Sequence, residues 1–118
     1  MKLATLLLVS GLLNACGEYD VGDSRTVPER PTWDNSVRVI MEEHCVRCHG
    51  AKPDRGAPPG FRLDLYSASG RVAGAASVGE QSLASVQRGS MPPGLGSQFG
   101  RNNTEILRRW VAGGVPKN

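Results

Sequence analysis

The segment Cys45-Val46-Arg47-Cys48-His49 places two thiols three residues apart, with an imidazole directly after the second. Upstream of it, Val37, Ile40, Met41, Cys45 and Cys48 recur at steps of three and four. That period predicts one face of a helix running from about Trp33 to Cys48. Thr32 or Asp34 can cap its start, and Gly50 ends the turn after His49. An apolar stripe and both thiols are thereby brought to the same side of one element.

Three ordinary uses of such a cysteine pair fit poorly. A redox dithiol expects a strand–helix context of the thioredoxin kind, and none precedes Cys45. A zinc site needs four ligands, and beyond His44, Cys45, Cys48 and His49 the chain has no other His and, with Cys16 assigned to lipid, no free Cys. A disulfide closing a three-residue loop would staple almost nothing. The remaining reading is C-x-x-C-H as the attachment signature of c-type haem. Shuffling the chain's own composition produces this pattern roughly once in a thousand chains. Its spacing has a physical basis. Thiols three residues apart on a helical turn reach the two vinyl groups of one porphyrin, and His49 then meets the iron.

Haem iron held by one His can take Met, His or nothing opposite, and the mature chain offers His44, Met41 and Met91. His44 immediately precedes Cys45 and cannot reach across a porphyrin, so it reads as a partly exposed helix residue. Met41, one turn before Cys45, reads as core. Met91 lies 42 residues beyond His49, in Arg88-Gly89-Ser90-Met91-Pro92-Pro93-Gly94. That is enough chain to wrap a ring edge and return on its other face. Pro92 and Pro93 restrict the loop, so a weak thioether ligand loses little entropy on binding.

With these residues in view, the chain resembles the class I c-type cytochromes, specifically the short bacterial monohaem domains of exported proteins. The resemblance covers roughly Trp33 to Pro116. It rests on the Cys45–Gly50 motif, Phe61-Arg62-Leu63-Asp64, Met91-Pro92-Pro93, Ile106-Leu107-Arg108-Arg109-Trp110-Val111 and Gly113-Gly114-Val115-Pro116. It implies an all-α fold, with N- and C-terminal helices crossing over one covalently bound haem and long Gly/Pro-rich loops. It also implies a backbone carbonyl, here from Ala57-Pro58-Pro59, accepting the His49 ring N–H. Arg62, Arg71 and Arg88 are candidate partners for the haem propionates, and Tyr66 is a weaker one. For the last helix, Asn102 and Glu105 read as a capping box and Gly113 as the stop. Its buried face is Ile106, Leu107, Trp110 and Val111, with Trp110 against the first helix or the haem. Ser82 to Arg88 reads as a short helix delivering Met91.

At the other end, Lys2 and the apolar run Leu3–Leu13 form a signal h-region. As a helix this run spans only about 16 Å, roughly half a bilayer core. Leu13-Asn14-Ala15-Cys16 resembles a bacterial lipoprotein signal, which implies cleavage after residue 15 and acylation of Cys16. Several acyl chains on one residue make a stable anchor. Residues 16–31 read as the acylated cysteine and a flexible tether, and residues 32–118 as the haem domain. The location implied is exported, on the periplasmic side of a bacterial membrane, with the outer membrane favoured by Gly17.

Composition agrees with a small domain built around something other than its own side chains. The precursor has 118 residues. Without the first fifteen, about 35% of the chain is apolar, below the usual share of a globular domain, while the whole carries 15 Gly and 8 Pro. A chain this thin needs a staple such as a metal or prosthetic group. Net charge is +3, and only Arg108 and Arg109 are adjacent cations, so a nucleic-acid surface is not expected.

Function follows as electron transfer rather than enzymatic turnover, with redox proteins and a membrane as partners and no small-molecule substrate. Two alternatives stay open: a haem-based sensor in which Met91 dissociates, and an accessory haem subunit of a larger oxidoreductase.

Overall fold

The computed structural model describes residues 24–94 and 99–118. The segment expected to be a signal and Cys16, expected to be acylated, lie outside these. The described chain is helical, and its only β-type pairings are two isolated bridges, Phe61 with Ala73 and Ser69 with Val72.

The first helical stretch opens as a π-helical turn, Trp33–Val37, and continues as α1, Arg38–His44. Thr32 caps it: its hydroxyl accepts the Asn35 N–H at 3.1 Å, and the Asn35 side chain accepts the Thr32 N–H at 2.8 Å. Two further N–H groups of the first turn are satisfied from the other end of the chain. Trp33 donates to the Pro116 carbonyl and Asp34 to that of Lys117, each at 2.9 Å. Lys117 also pairs with the Asp34 carboxylate at 3.0 Å.

The helix expected to run unbroken to Cys48 pauses at Cys45, whose backbone leaves the helical region at φ −122°. A new turn, α2 (Val46–His49), starts there, with the Cys45 carbonyl accepting from both Cys48 and His49. The two thiols thus sit on either side of a restart.

Helix α3 (Gly79–Gln87) and helix α4 (Arg101–Ala112) complete the set. The capping box expected of Asn102 and Glu105 does not form. Helix α4 begins one residue before Asn102, after Gly100 at φ 90°, and the Gly100 carbonyl accepts both N–H and Oγ1 of Thr104. Asn102 instead donates to the Arg25 carbonyl, and two arginines one turn further on hold Glu105. The helix stops at Gly113 as expected, and two left-handed residues then turn the chain, Gly114 at φ 84° and Val115 at φ 51°.

Ile106, Leu107 and Trp110 of α4 are buried against Trp33, Val37, Ile40 and Met41. Trp110 meets Trp33 at 6.4 Å between ring centroids and donates its indole N–H to the Pro116 carbonyl. Helix α3 approaches the same tryptophan so closely that a Cβ at Gly79 would lie 3.3 Å from Trp110 and 3.0 Å from Val115. Only glycine admits this approach without displacing a neighbour.

Residues 24–31, expected as part of a flexible tether, lie along the helical body instead. Val27 packs on the core and Pro31 is buried. Arg25 pairs with Glu43 of α1, Arg109 of α4 donates to the Pro28 carbonyl at 3.0 Å, and Asn35 donates to that of Arg30.

Candidate functional site

A cavity of about 260 Å³ opens between α2, α3 and the loops that follow them. Cys45, Cys48, His49 and Met91 all line it. The remaining wall is largely apolar, with Ala57, Pro58, Phe61, Leu63, Val86, Pro92 and Pro93 contributing.

Backbone hydrogen bonds fix the motif end of this cavity. Leu63 donates to the His49 carbonyl at 2.7 Å, and Asp54 donates to that of Cys48 at 3.1 Å. The His49 ring stacks on Phe61, 4.9 Å between centroids and 20° from parallel. Burial lowers the His49 pKa, so the imidazole is neutral near pH 7 and keeps a lone pair for a metal. Its Nδ1 is buried without a hydrogen-bond partner. Ala57 and Pro58 do line the cavity, yet the carbonyl expected to accept this nitrogen is not in place. Cys45 and Cys48 are free thiols, and burial pushes Cys45 up to about 12, which keeps its proton on sulfur.

The Met91 end is held by a single carbonyl. Ser85 O, near the end of α3, accepts the N–H groups of Ser90 at 3.0 Å and Met91 at 3.2 Å, and the Ser90 hydroxyl as well. Gly89, at φ 76°, turns the chain off the helix towards this anchor. Helix α3 therefore delivers Met91, as its sequence implies, though it begins at Gly79 rather than Ser82. Met91 keeps 38% of its surface exposed, a large value for a thioether with no polar partner.

The other candidate residues, His44 apart, fall outside the cavity lining. Arg62 is bound to Asp64 by two hydrogen bonds, one of 2.9 Å from Nε, and its guanidinium is committed there. Arg88 is exposed, donating to Ser85 Oγ at 3.3 Å, and Arg71 is exposed. Tyr66 donates to the Val115 carbonyl at 2.9 Å and packs near Trp33. Met41 is core, 1% exposed. His44 is partly exposed, as anticipated, but it also lines the cavity, edge-on to Phe99 at 5.2 Å.

Two contributors escaped sequence reasoning. Phe61 was noticed only as part of a family pattern, and its stacking on His49 follows from a loop path that no periodicity reveals. Arg55 joins the lining from a tight turn, for which Gly56 is the available sequence signal.

A metal ion held by protein donors alone is not what this donor set suits. Among the described residues, no cluster of three or more His, Cys, Asp or Glu stands in metal-holding geometry. One imidazole and one thioether match an iron that brings its own in-plane ligands, and two thiols match a covalent tie to such a group. Comparisons with family models, curated proteins and solved structures find no match to this chain.

Proposed function

We propose that the chain is a monohaem c-type cytochrome serving as an electron carrier. Cys45 and Cys48 would hold one haem c covalently, and His49 and Met91 would be its axial iron ligands. The observation that carries this reading is the convergence of those four side chains, up to 46 residues apart in sequence, on one largely apolar cavity. The finer fold assignment belongs to the same proposal: a small cytochrome c fold in which the first and last helices, joined through Trp33 and Trp110, cross beside the haem.

When bound, the haem supplies a one-electron Fe(III)/Fe(II) couple. The polypeptide's tasks are positional. His49 offers a neutral imidazole, steadied by Phe61 on its face and by Leu63 on its backbone carbonyl. Phe61, Leu63 and Val86 exclude water from the cavity wall. The Ser85 carbonyl presents Met91 from the end of α3. With His49 and Met91 both bound, the iron would have no position left for a substrate, which favours a carrier over an enzyme. Cys16 would be acylated, and the domain would work on the periplasmic side of a bacterial membrane with redox proteins as partners.

The test is the optical spectrum of the mature protein, exported in a host competent for haem attachment. The carrier reading expects covalent haem, lost in the Cys45→Ser/Cys48→Ser double variant, with a low-spin ferric spectrum and a sulfur-to-iron charge-transfer band. A five-coordinate, high-spin resting state would sink it. The exposure of Met91 favours one second reading, a sensor in which that ligand leaves, and ready binding of carbon monoxide to the ferrous protein would select it.

A further inference from the structure

Resting on the haem reading, we infer that Arg55 is the residue that pairs with a propionate carboxylate, in place of the arginines expected from sequence. Haem carries two carboxylates, and a largely apolar cavity must offer them cations or solvent. Among the described residues, Arg55 is the one Arg or Lys that lines the cavity. Arg62 and Arg88 do not line it, and Arg62 is already bound to Asp64.

The backbone beneath Arg55 is built to hold it there. Asp54 to Ala57 form a tight turn, closed by the Ala57 N–H donating to the Asp54 carbonyl at 3.0 Å. Both central residues are left-handed, Arg55 at φ 52° and Gly56 at φ 79°. That conformation suits Gly, Asn or Asp at the first central position and strains a residue with a long side chain. The turn hangs directly from the motif, since the Asp54 N–H donates to the Cys48 carbonyl. The Asp54 carboxylate, the one anion of the lining, accepts the Arg55 backbone N–H at 2.7 Å. The strained turn thus sets Arg55 on the cavity lining, seven residues past Cys48, with its guanidinium nitrogens available to a fork-shaped carboxylate contact.

The experiment measures midpoint potential and the propionate bending frequency by resonance Raman in the exported, haem-loaded full chain. Variants are Arg55→Gly, Arg55→Gln and Arg55→Lys, with Arg30→Gln, exposed and outside both the motif and the cavity lining, as the control. Loss of a cation beside the haem favours Fe(III), so Arg55→Gly and Arg55→Gln should both lower the potential and shift the propionate frequency. Arg55→Lys should largely retain the potential, and Arg30→Gln should move neither readout. Glycine relieves the strained φ while glutamine keeps it, so a drop shared by the two tracks charge rather than backbone. Wild-type values in both neutral variants, or an equal drop in Arg30→Gln, overturn the assignment. A wild-type protein without covalent haem overturns the parent reading instead, and that is seen before any variant is made.

Discussion

The His49 imidazole lies 4.9 Å from the Phe61 ring and 20° from parallel to it, so the motif histidine is oriented by a residue twelve positions downstream. Phe61 is only partly buried, and its loop is tied across to Ala73 by an isolated bridge and by the Arg62 N–H to Ala73 carbonyl bond of 2.8 Å. Truncation in Phe61→Ala removes the stack and part of the cavity wall. The expected cost is about 1–3 kcal/mol, less than for a fully buried phenylalanine. If His49 ligates a haem iron, the loaded variant should also show a broadened or mixed-spin ferric spectrum, because the histidine plane is no longer fixed. Phe61→Leu, which restores the wall but not the ring, should recover most of the stability and little of the spectral sharpness. Urea denaturation and optical spectroscopy check both.

Met91 stands at the opposite economy of contact. With 38% of its surface exposed and its backbone N–H held by the Ser85 carbonyl, its side chain contributes little packing. Met91→Ala should change the stability of the fold by no more than about 0.5 kcal/mol from lost burial. If the thioether is an iron ligand, the same substitution abolishes the sulfur-to-iron charge-transfer band and lowers the midpoint potential. A band that survives in a folded Met91→Ala protein refutes the ligand assignment without touching the covalent attachment.

Trp110 carries the junction of the first and last helices. It is fully buried, touches Trp33, and its indole N–H donates to Pro116 O, the carbonyl that also accepts the Trp33 N–H. Trp110→Ala should cost about 3–5 kcal/mol. Trp110→Phe keeps an aromatic ring and loses mainly the hydrogen bond, at a cost of about 1–2 kcal/mol. Thermal unfolding of the two variants should rank them in that order, since Pro116 O keeps its second donor in both.

Much of this architecture was readable because it is periodic. Val37, Ile40 and Met41 announce one helix face and Ile106, Leu107 and Trp110 another, and these are the faces the structure buries. Thr32 as the first cap was also legible, since capping depends on a few adjacent residues. Nearby, the same kind of inference failed at Asn102 and Glu105, because Arg108 and Arg109 compete for the carboxylate and Gly100 supplies the chain reversal. At the site, local spacing marked Cys45, Cys48 and His49, and proline chemistry marked Met91. Arg55 and Phe61 were not legible, since loop residues reach a cavity through turns and long-range bridges that leave no repeating signal. The docking of residues 24–31 was hidden for a related reason: beside Val27 on the core and the Arg25–Glu43 pair, it uses the backbone carbonyls of Arg25, Pro28 and Arg30, which any sequence would offer.

The carboxylate of Glu105 accepts hydrogen bonds from Arg108 at 2.7 and 2.8 Å and from Arg109 at 2.8 Å, all on one face of α4. These two guanidiniums hold its pKa at about 2, well below an ordinary glutamate near 4.5. A carboxylate depressed in the folded state adds stability above its unfolded pKa and loses it as pH falls through the folded value. The Glu105 contribution should therefore be complete above about pH 5, decline below 4.5, and be gone near pH 2. Glu105→Gln removes the titrating group, so the gap in unfolding midpoint between wild type and variant should be constant at neutral pH and close in that acid window. Arg109 also donates to the Pro28 carbonyl, so the gap should narrow with added salt but not vanish, part of the network being uncharged. Urea midpoints between pH 2 and 7, at low and high ionic strength, test this. A gap that widens on acidification contradicts the pairing.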